Sequence, residues 1–152
     1  MKYLTDKDGN RLNKSIVVSI SGDPIPLQRP KLGRNGTYDP QKDLKYQTGI
    51  QLKTQVNFNY DYSSLDGDLS LDITFYFEIP KSWSLKKKEK VVGKRKSSRP
   101  DLSNLIKYYE DVMQDIDLFN DDSQIVEITA RKLYDDGQGA RVVLTLKEVN
   151  ET

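Results

Sequence analysis

Apolar and polar positions follow different periods along this chain, and the changes of period predict its elements. In residues 68–80, Leu69, Leu71, Ile73, Phe75, Phe77 and Ile79 alternate with Ser70, Asp72, Thr74, Tyr76 and Glu78. A two-residue period predicts a strand with one face in a core. Residues 16–20, Ile-Val-Val-Ser-Ile, predict a shorter one. The period lengthens after Pro100: Leu102, Leu105, Ile106, Tyr109, Val112, Met113 and Ile116 recur every three or four residues, one face of a helix. Ser103, Lys107, Glu110, Asp111 and Gln114 fall on its other face. Alternation returns in residues 124–134, with Val126, Ile128 and Ala130 opposed to Glu127, Thr129 and Arg131. It continues in residues 140–147 through Val142, Leu144 and Leu146. Asp135, Asp136, Gly137, Gln138 and Gly139 lie between these last two strands, which predicts a β-hairpin and gives the aspartates a turn role.

Elsewhere the pattern is weaker. Asp39 and Pro40 read as an N-cap and a first helical residue, opening a helix to about Val56. Its apolar face, Leu44, Leu52 and Val56, is thin, and Gly49 interrupts it. Gly22, Pro24, Pro26 and Pro30 predict an extended loop, followed by a turn at Asn35 and Gly36. Residues 1–14 read as a loose leader, 57–67 as a polar link bearing Tyr60 and Tyr62, and 149–152 as a frayed tail. The order β-α-β-α-β-β predicts a single α+β domain over 1–152, with helices packed on one face of a mixed sheet.

Composition narrows the chemistry. The 152 residues carry 36% hydrophobic and 31% charged side chains, with no apolar run of the roughly 20 residues that span a bilayer. The N-terminus lacks the apolar core of a signal peptide, so the expected location is the cytoplasm. The absence of cysteine removes disulfides and thiolate nucleophiles. The absence of histidine removes His-ligated zinc, a Ser-His-Asp triad and an imidazole base. A catalytic chain of this composition must use carboxylate, lysine or metal-bound water.

Net charge is only +1, but its distribution is uneven. Residues 81–99 hold Lys81, Lys86, Lys87, Lys88, Lys90, Lys94, Arg95, Lys96 and Arg99 against Glu89 alone. Trp83 stands near the start of this segment. It reads either as a solvated loop, part helical over 83–92, or as a DNA-facing loop; its place just before the acidic helix favours the second. Arg29, Lys31 and Arg34 give the proline-rich loop a similar choice between ordinary connection and phosphate contact.

Acids dominate from Asp101 onward. Asp101 at the helix start and Asp121 and Asp122 before the next strand are expected to meet at one end of the fold, with Lys107 a turn away. Clustered carboxylates suit Mg²⁺, with Mn²⁺ as a substitute, and a bound cation can activate water and offset phosphodiester charge. Lys107 can stabilise the same charge. Against this stands a plain reading: Asp101 as a cap, Asp121 and Asp122 as a turn, Lys107 as a solvated helix residue.

Here the sequence resembles the RusA-type Holliday junction resolvases of bacteria and their phages. Their pattern is Asp-x-Asp-Asn-Leu-x-Lys, a further helix Asp, then Asp-Asp-x-Gln-Val opening a strand. This chain has Asp101, Leu102, Ser103, Asn104, Leu105, Ile106 and Lys107, then Asp111, then Asp121, Asp122, Ser123, Gln124 and Ile125. Upstream, SGDPIPLQRPK and YDPQKDLKY look like the family's Gly-x-Pro…Arg-Pro and Tyr-x-Pro-x-Lys segments. The resemblance covers residues 16–147. It implies Mg²⁺ bound through Asp101 and Asp122, an essential Lys107, a homodimer and the same α+β fold. Ser103 departs from it, standing where the family has its second aspartate; Asp121 and Asp111 are the neighbouring acids able to complete the ligand set.

The expected function is therefore an Mg²⁺-dependent endonuclease that resolves four-way branched DNA by symmetric paired nicks in recombination and repair. It would need no nucleotide cofactor and no membrane. Its DNA contacts are expected from Arg29, Lys31, Lys86, Lys87, Lys88, Lys94, Arg95, Lys96 and Arg99. The alternatives are a branched-DNA-binding protein with a degenerate, non-cleaving metal site, and an interaction module without either chemistry.

Overall fold

In the computed structural model, residues 14–59 and 65–149 are described. The leader, Tyr60, Tyr62 and the tail from 150 onward lie outside them. The elements in order are β1 (Ser15–Ser21), β2 (Lys31–Gly33), β3 (Gly36–Tyr38), α1 (Lys42–Asn59), β4 (Leu69–Phe77), α2 (Leu85–Val91), α3 (Leu102–Asp115), a 3-10 turn (Asp122–Gln124), β5 (Ile125–Tyr134) and β6 (Arg141–Glu148). The expected α+β skeleton is present, with a small β2–β3 hairpin and the short α2 added. β2 and β3 join through Arg34 and Asn35, with Gly33 paired to Gly36, which places the turn where Asn35 and Gly36 predicted one.

The main sheet has the strand order β1-β6-β4-β5. β1 and β6 are antiparallel, as are β6 and β4, whereas β4 and β5 are parallel. The expected β5–β6 hairpin is not formed, because β4 lies between the two strands. A two-residue turn would have forced them together, but six residues connect them, enough to cross the roughly 10 Å taken by one intervening strand. On the way the Asp135 N–H donates to the carbonyl of Phe77, at the end of β4. Asp135 Oδ1 accepts from the N–H groups of Gly137 and Gly139, and Asp136 pairs with Arg141 at 3.0 Å, so both aspartates serve this connection.

The helices bury one sheet face. Ile16, Val18 and Ile20 of β1, Leu69, Leu71, Ile73 and Phe75 of β4 and Val142, Leu144 and Leu146 of β6 are all buried. Opposite them pack Leu52 and Val56 of α1 and Leu105, Tyr108, Tyr109, Val112 and Met113 of α3. Tyr108 belongs to the buried face although the periodicity omitted it; its hydroxyl pairs with Thr48 Oγ1 at 2.9 Å, which satisfies the one polar atom it brings inside. Gly49 does more than interrupt α1. A Cβ there would sit 2.9 Å from Ile116 Cγ2, so the missing side chain lets α1 and α3 approach closely.

β5 is an edge strand. Its C-terminal half is covered by the returning basic segment: Lys96 N–H donates to the Lys132 carbonyl and Tyr134 N–H to the Lys94 carbonyl. Alternation puts the backbone groups of Ala130 and Ile128 on that same outer edge. No described segment covers them, and the side chains of Ile128 and Val126 are 44% and 58% exposed. The apolar stripe expected to be core is thus only half buried.

Candidate active site

α3 carries the site on its outward face. Asp101 is its N-cap residue by conformation, but its side chain makes no capping hydrogen bond, so the cap role does not occupy the carboxylate. Asp101, Ser103, Asn104 and Lys107 are all exposed. Two tethers fix the helix start. Lys132 of β5 donates through Nζ to the carbonyls of Ser98 and Pro100, both at 2.8 Å. The proline-rich loop docks from the other side, with Leu27 N–H on the Asn104 carbonyl and Ile25 N–H on the Tyr109 hydroxyl.

Asp121 and Asp122 lie at the 3-10 turn that follows α3. Asp121 caps the 3-10 turn: its Oδ1 accepts from Ser123 N–H, while Gln124 Oε1 accepts from the Asn120 and Asp121 N–H groups. This is the turn role weighed for it. Hydrogen bonding to Ser123 and to its neighbour lowers the Asp121 pKa, and the same side-chain bond raises that of Asp122. Asp122 acts on Glu110: burial first, then the charges of Asp122 and Asp111, push the Glu110 carboxyl up, opposed by Lys107. The 3-10 turn that carries Asp122 packs against α3, and its charge is felt at Glu110.

Asp111 is engaged. Its Oδ2 accepts from Lys45 Nζ at 3.2 Å, and the same nitrogen bonds Asp39 at 2.8 Å. Glu110 and Lys45 were not singled out in the sequence.

Among the described residues, no group of three or more acidic side chains is gathered closely enough to enclose a metal ion. The donors suit a cation with a smaller demand. Besides burial, the charge of Asp111 pushes up the carboxyls of Glu110, Asp115 and Asp122, and that of Asp122 pushes up Glu110, a repulsion that a divalent cation relieves. Mg²⁺ needs only one or two protein carboxylates and retains its waters.

The basic residues fall into four places. Lys86, Lys87 and Lys88 lie on α2, where Lys87 Nζ stands 3.8 Å from the centre of the Trp83 ring, and Trp83 in turn packs on Tyr134. Lys94, Arg95 and Lys96 line the edge of β5. The segment is therefore a short helix, inside the 83–92 stretch read as part helical, and a strand-like return. Arg99 and Lys96, with Lys81, border an open groove of about 910 Å³ whose other wall is Asp23, Pro24 and Pro26. Pro100, one residue before Asp101, also lines that groove. Arg29 and Lys31 are exposed in the proline-rich loop and on β2.

The model of the Endodeoxyribonuclease RusA family matches residues 21–147. An uncharacterized protein of Bacillus subtilis (strain 168), YqaN, is 28% identical over 143 residues, covering 89% of this chain and 97% of its own. The crossover junction endodeoxyribonuclease rusA of Lactococcus phage r1t is 36% identical over 105 residues, covering 68% of this chain and 75% of its own. The matched region runs from the end of β1 to β6 and so includes the groove, the outward face of α3 and the 3-10 turn. The chain belongs to the RusA endodeoxyribonuclease family.

Proposed function

We propose that this protein is a divalent-cation-dependent endonuclease that resolves four-way branched DNA in the cytoplasm, during recombination and repair. The observation that carries the reading is the exposed face of α3. It places Asp101 beside a groove bordered by Lys81, Lys96 and Arg99, and Lys107 on the same helix as the acids that surround Asp122. A phosphodiester needs cations to bind it and a site that stabilises charge as it breaks.

Asp101, Lys107 and Asp122 are the proposed catalytic residues. Asp101 and Asp122 are the proposed cation ligands, with Asp121 and Glu110 as neighbouring acids. Mg²⁺, or Mn²⁺ in its place, would supply an activated water and positive charge at the phosphate. Lys107 acts on charge that develops at the scissile phosphate. The basic residues of 81–99, with Arg29 and Lys31, hold the backbone of the arms.

A homodimer fits paired nicks, since two-fold symmetry places one site on each of two opposed strands. The uncovered edge at Ile128 and Ala130 supports a second copy, because an open edge strand is a pairing surface. Ser103 favours a second reading, a protein that binds branched DNA without cutting it. Its hydroxyl cannot offset cation charge as a carboxylate does. Cleavage of a synthetic four-way junction, with and without Mg²⁺, separates the two. Paired nicks with Mg²⁺ are expected; tight binding with no nicks at any Mg²⁺ concentration would establish the second reading.

A further inference from the structure

Lys45 stands where α1 should be apolar. It is in line with Thr48, Gly49, Leu52 and Val56, the buried stripe of that helix, and its side chain is 11% exposed. Burial alone would lower its pKa, but its bonds to Asp39 and Asp111 outweigh that and raise it, so the lysine is held charged. An ion pair whose carboxylates are 36% and 45% exposed contributes little to stability. Its placement points elsewhere. Asp111 is the acid whose charge acts on Glu110, Asp115 and Asp122 alike. Lys45 holds that carboxylate toward α1.

The other end of the network reaches the proline-rich loop. Asp39, which shares Lys45, also accepts from the Gln41 N–H at 2.9 Å. Gln41 is buried and ties the loop twice, accepting from Gln28 N–H and donating to the Pro26 carbonyl. The chain of contacts thus runs from the loop bearing Arg29 to the acids of α3.

We propose that Lys45 is a positioning residue of the nuclease site: it restrains Asp111, so that Asp111 acts on the site as a fixed charge and not as a cation ligand. The proposal rests on the cation-dependent reading above. Removing the lysine releases a carboxylate toward Glu110 and Asp122 and deletes one positive charge. Both changes strengthen cation binding while altering the geometry in which the cation is held.

The test is Mn²⁺ binding by calorimetry on DNA-free protein, alongside junction cleavage, for wild type, Lys45→Met, Lys45→Arg and the double variant Lys45→Met/Asp111→Asn. Lys45→Met is expected to bind Mn²⁺ at least about threefold more tightly and to cut more slowly. Lys45→Arg, which keeps the charge, should stay near wild type. The double variant has the wild-type net charge and no Asp111 carboxylate to release, so its Mn²⁺ affinity should return to within about twofold of wild type. A purely structural lysine would lower the melting temperature and leave Mn²⁺ affinity unchanged, which would overturn the proposal. So would a double variant that binds as tightly as Lys45→Met. If Lys45→Met does not fold, the neutral but polar Lys45→Gln takes its place in both comparisons. Wild type that neither binds Mn²⁺ nor cuts overturns the cation-dependent reading and this proposal together; wild type that does both, with unaltered lysine variants, overturns this proposal alone.

Discussion

The acidic face of α3 and the basic segment 81–99 are neighbours in sequence and opposites in how their charges are held. On and beside α3 the charges act on one another: Asp111 pairs with Lys45, Asp121 pushes up the Asp122 carboxyl, and burial with the charges of Asp122 and Asp111 pushes up Glu110 against the field of Lys107. In 81–99 the cations sit over rings or beside backbone. Lys87 lies over Trp83 and Lys96 over Phe77 and Tyr134, and among the described residues the segment's one ion pair is Lys81 with Glu78, at 3.9 Å and well exposed. Charges that act on one another are held in a geometry, which chemistry requires. Those that do not remain available to phosphates, which affinity requires. Binding and cutting should therefore be separable by mutation.

The largest effect is expected on the acidic side. Asp122→Asn and Asp101→Asn should each reduce junction cleavage by about 100-fold or more, as loss of a group acting on transition-state charge does. Junction affinity measured in EDTA should hold or improve, because a negative charge near the phosphates is lost. Cleavage at the wild-type rate by Asp122→Asn would remove it from the site. Equal losses in both would show that the helix start and the 3-10 turn serve one working site.

The basic side should respond in the other measurement. Lys87→Glu with Lys88→Glu is expected to weaken junction binding and to flatten its salt dependence, by about 0.9 in the log–log slope for each phosphate contact removed. The rate at saturating DNA should stay near wild type. A lower saturated rate with an unchanged slope would erase the division between the two regions. Lys87 contributes to packing on Trp83 as well as charge, so a Lys87→Gln control that retains the slope loss is needed to assign it to charge.

Much of this was legible in the sequence because periodicity reports burial. The strict alternation of β4 and the three-and-four spacing of α3 both correspond to elements whose inner faces are buried. What escaped were relations between distant segments. A polar six-residue connection reads as a hairpin turn, and only the parallel β4–β5 pairing shows that it passes over β4. The placement of Asp122 against α3 depends on how the turn from Ile116 to Asp121 folds back, with Leu118 and Phe119 buried, and local spacing carries no record of that. Lys45 did leave a signal. A lysine in line with Leu52 and Val56 must find a counter-charge, and Asp39, six residues earlier, is one of the two it finds.

The smallest expected effect tests where the two regions meet, at Ser103. It lies four residues before Lys107 and seven before Glu110, so the three share one stripe of α3. A carboxylate at 103 would add a second acid at the helix start, two residues from Asp101. Its hydration is already paid in the exposed position that serine occupies, so stability should change by less than about 0.5 kcal/mol, as for ordinary surface substitutions. Ser103→Asp is expected to cut at a saturated rate within a few fold of wild type and to need less Mg²⁺ to reach it, read as a leftward shift of the Mg²⁺ titration. Its affinity for DNA in EDTA should fall slightly, because the new charge faces the phosphates. If wild type is inert across the titration and Ser103→Asp restores cutting, the acidic face of this chain is one carboxylate short, and the basic segment alone accounts for what the protein does to branched DNA.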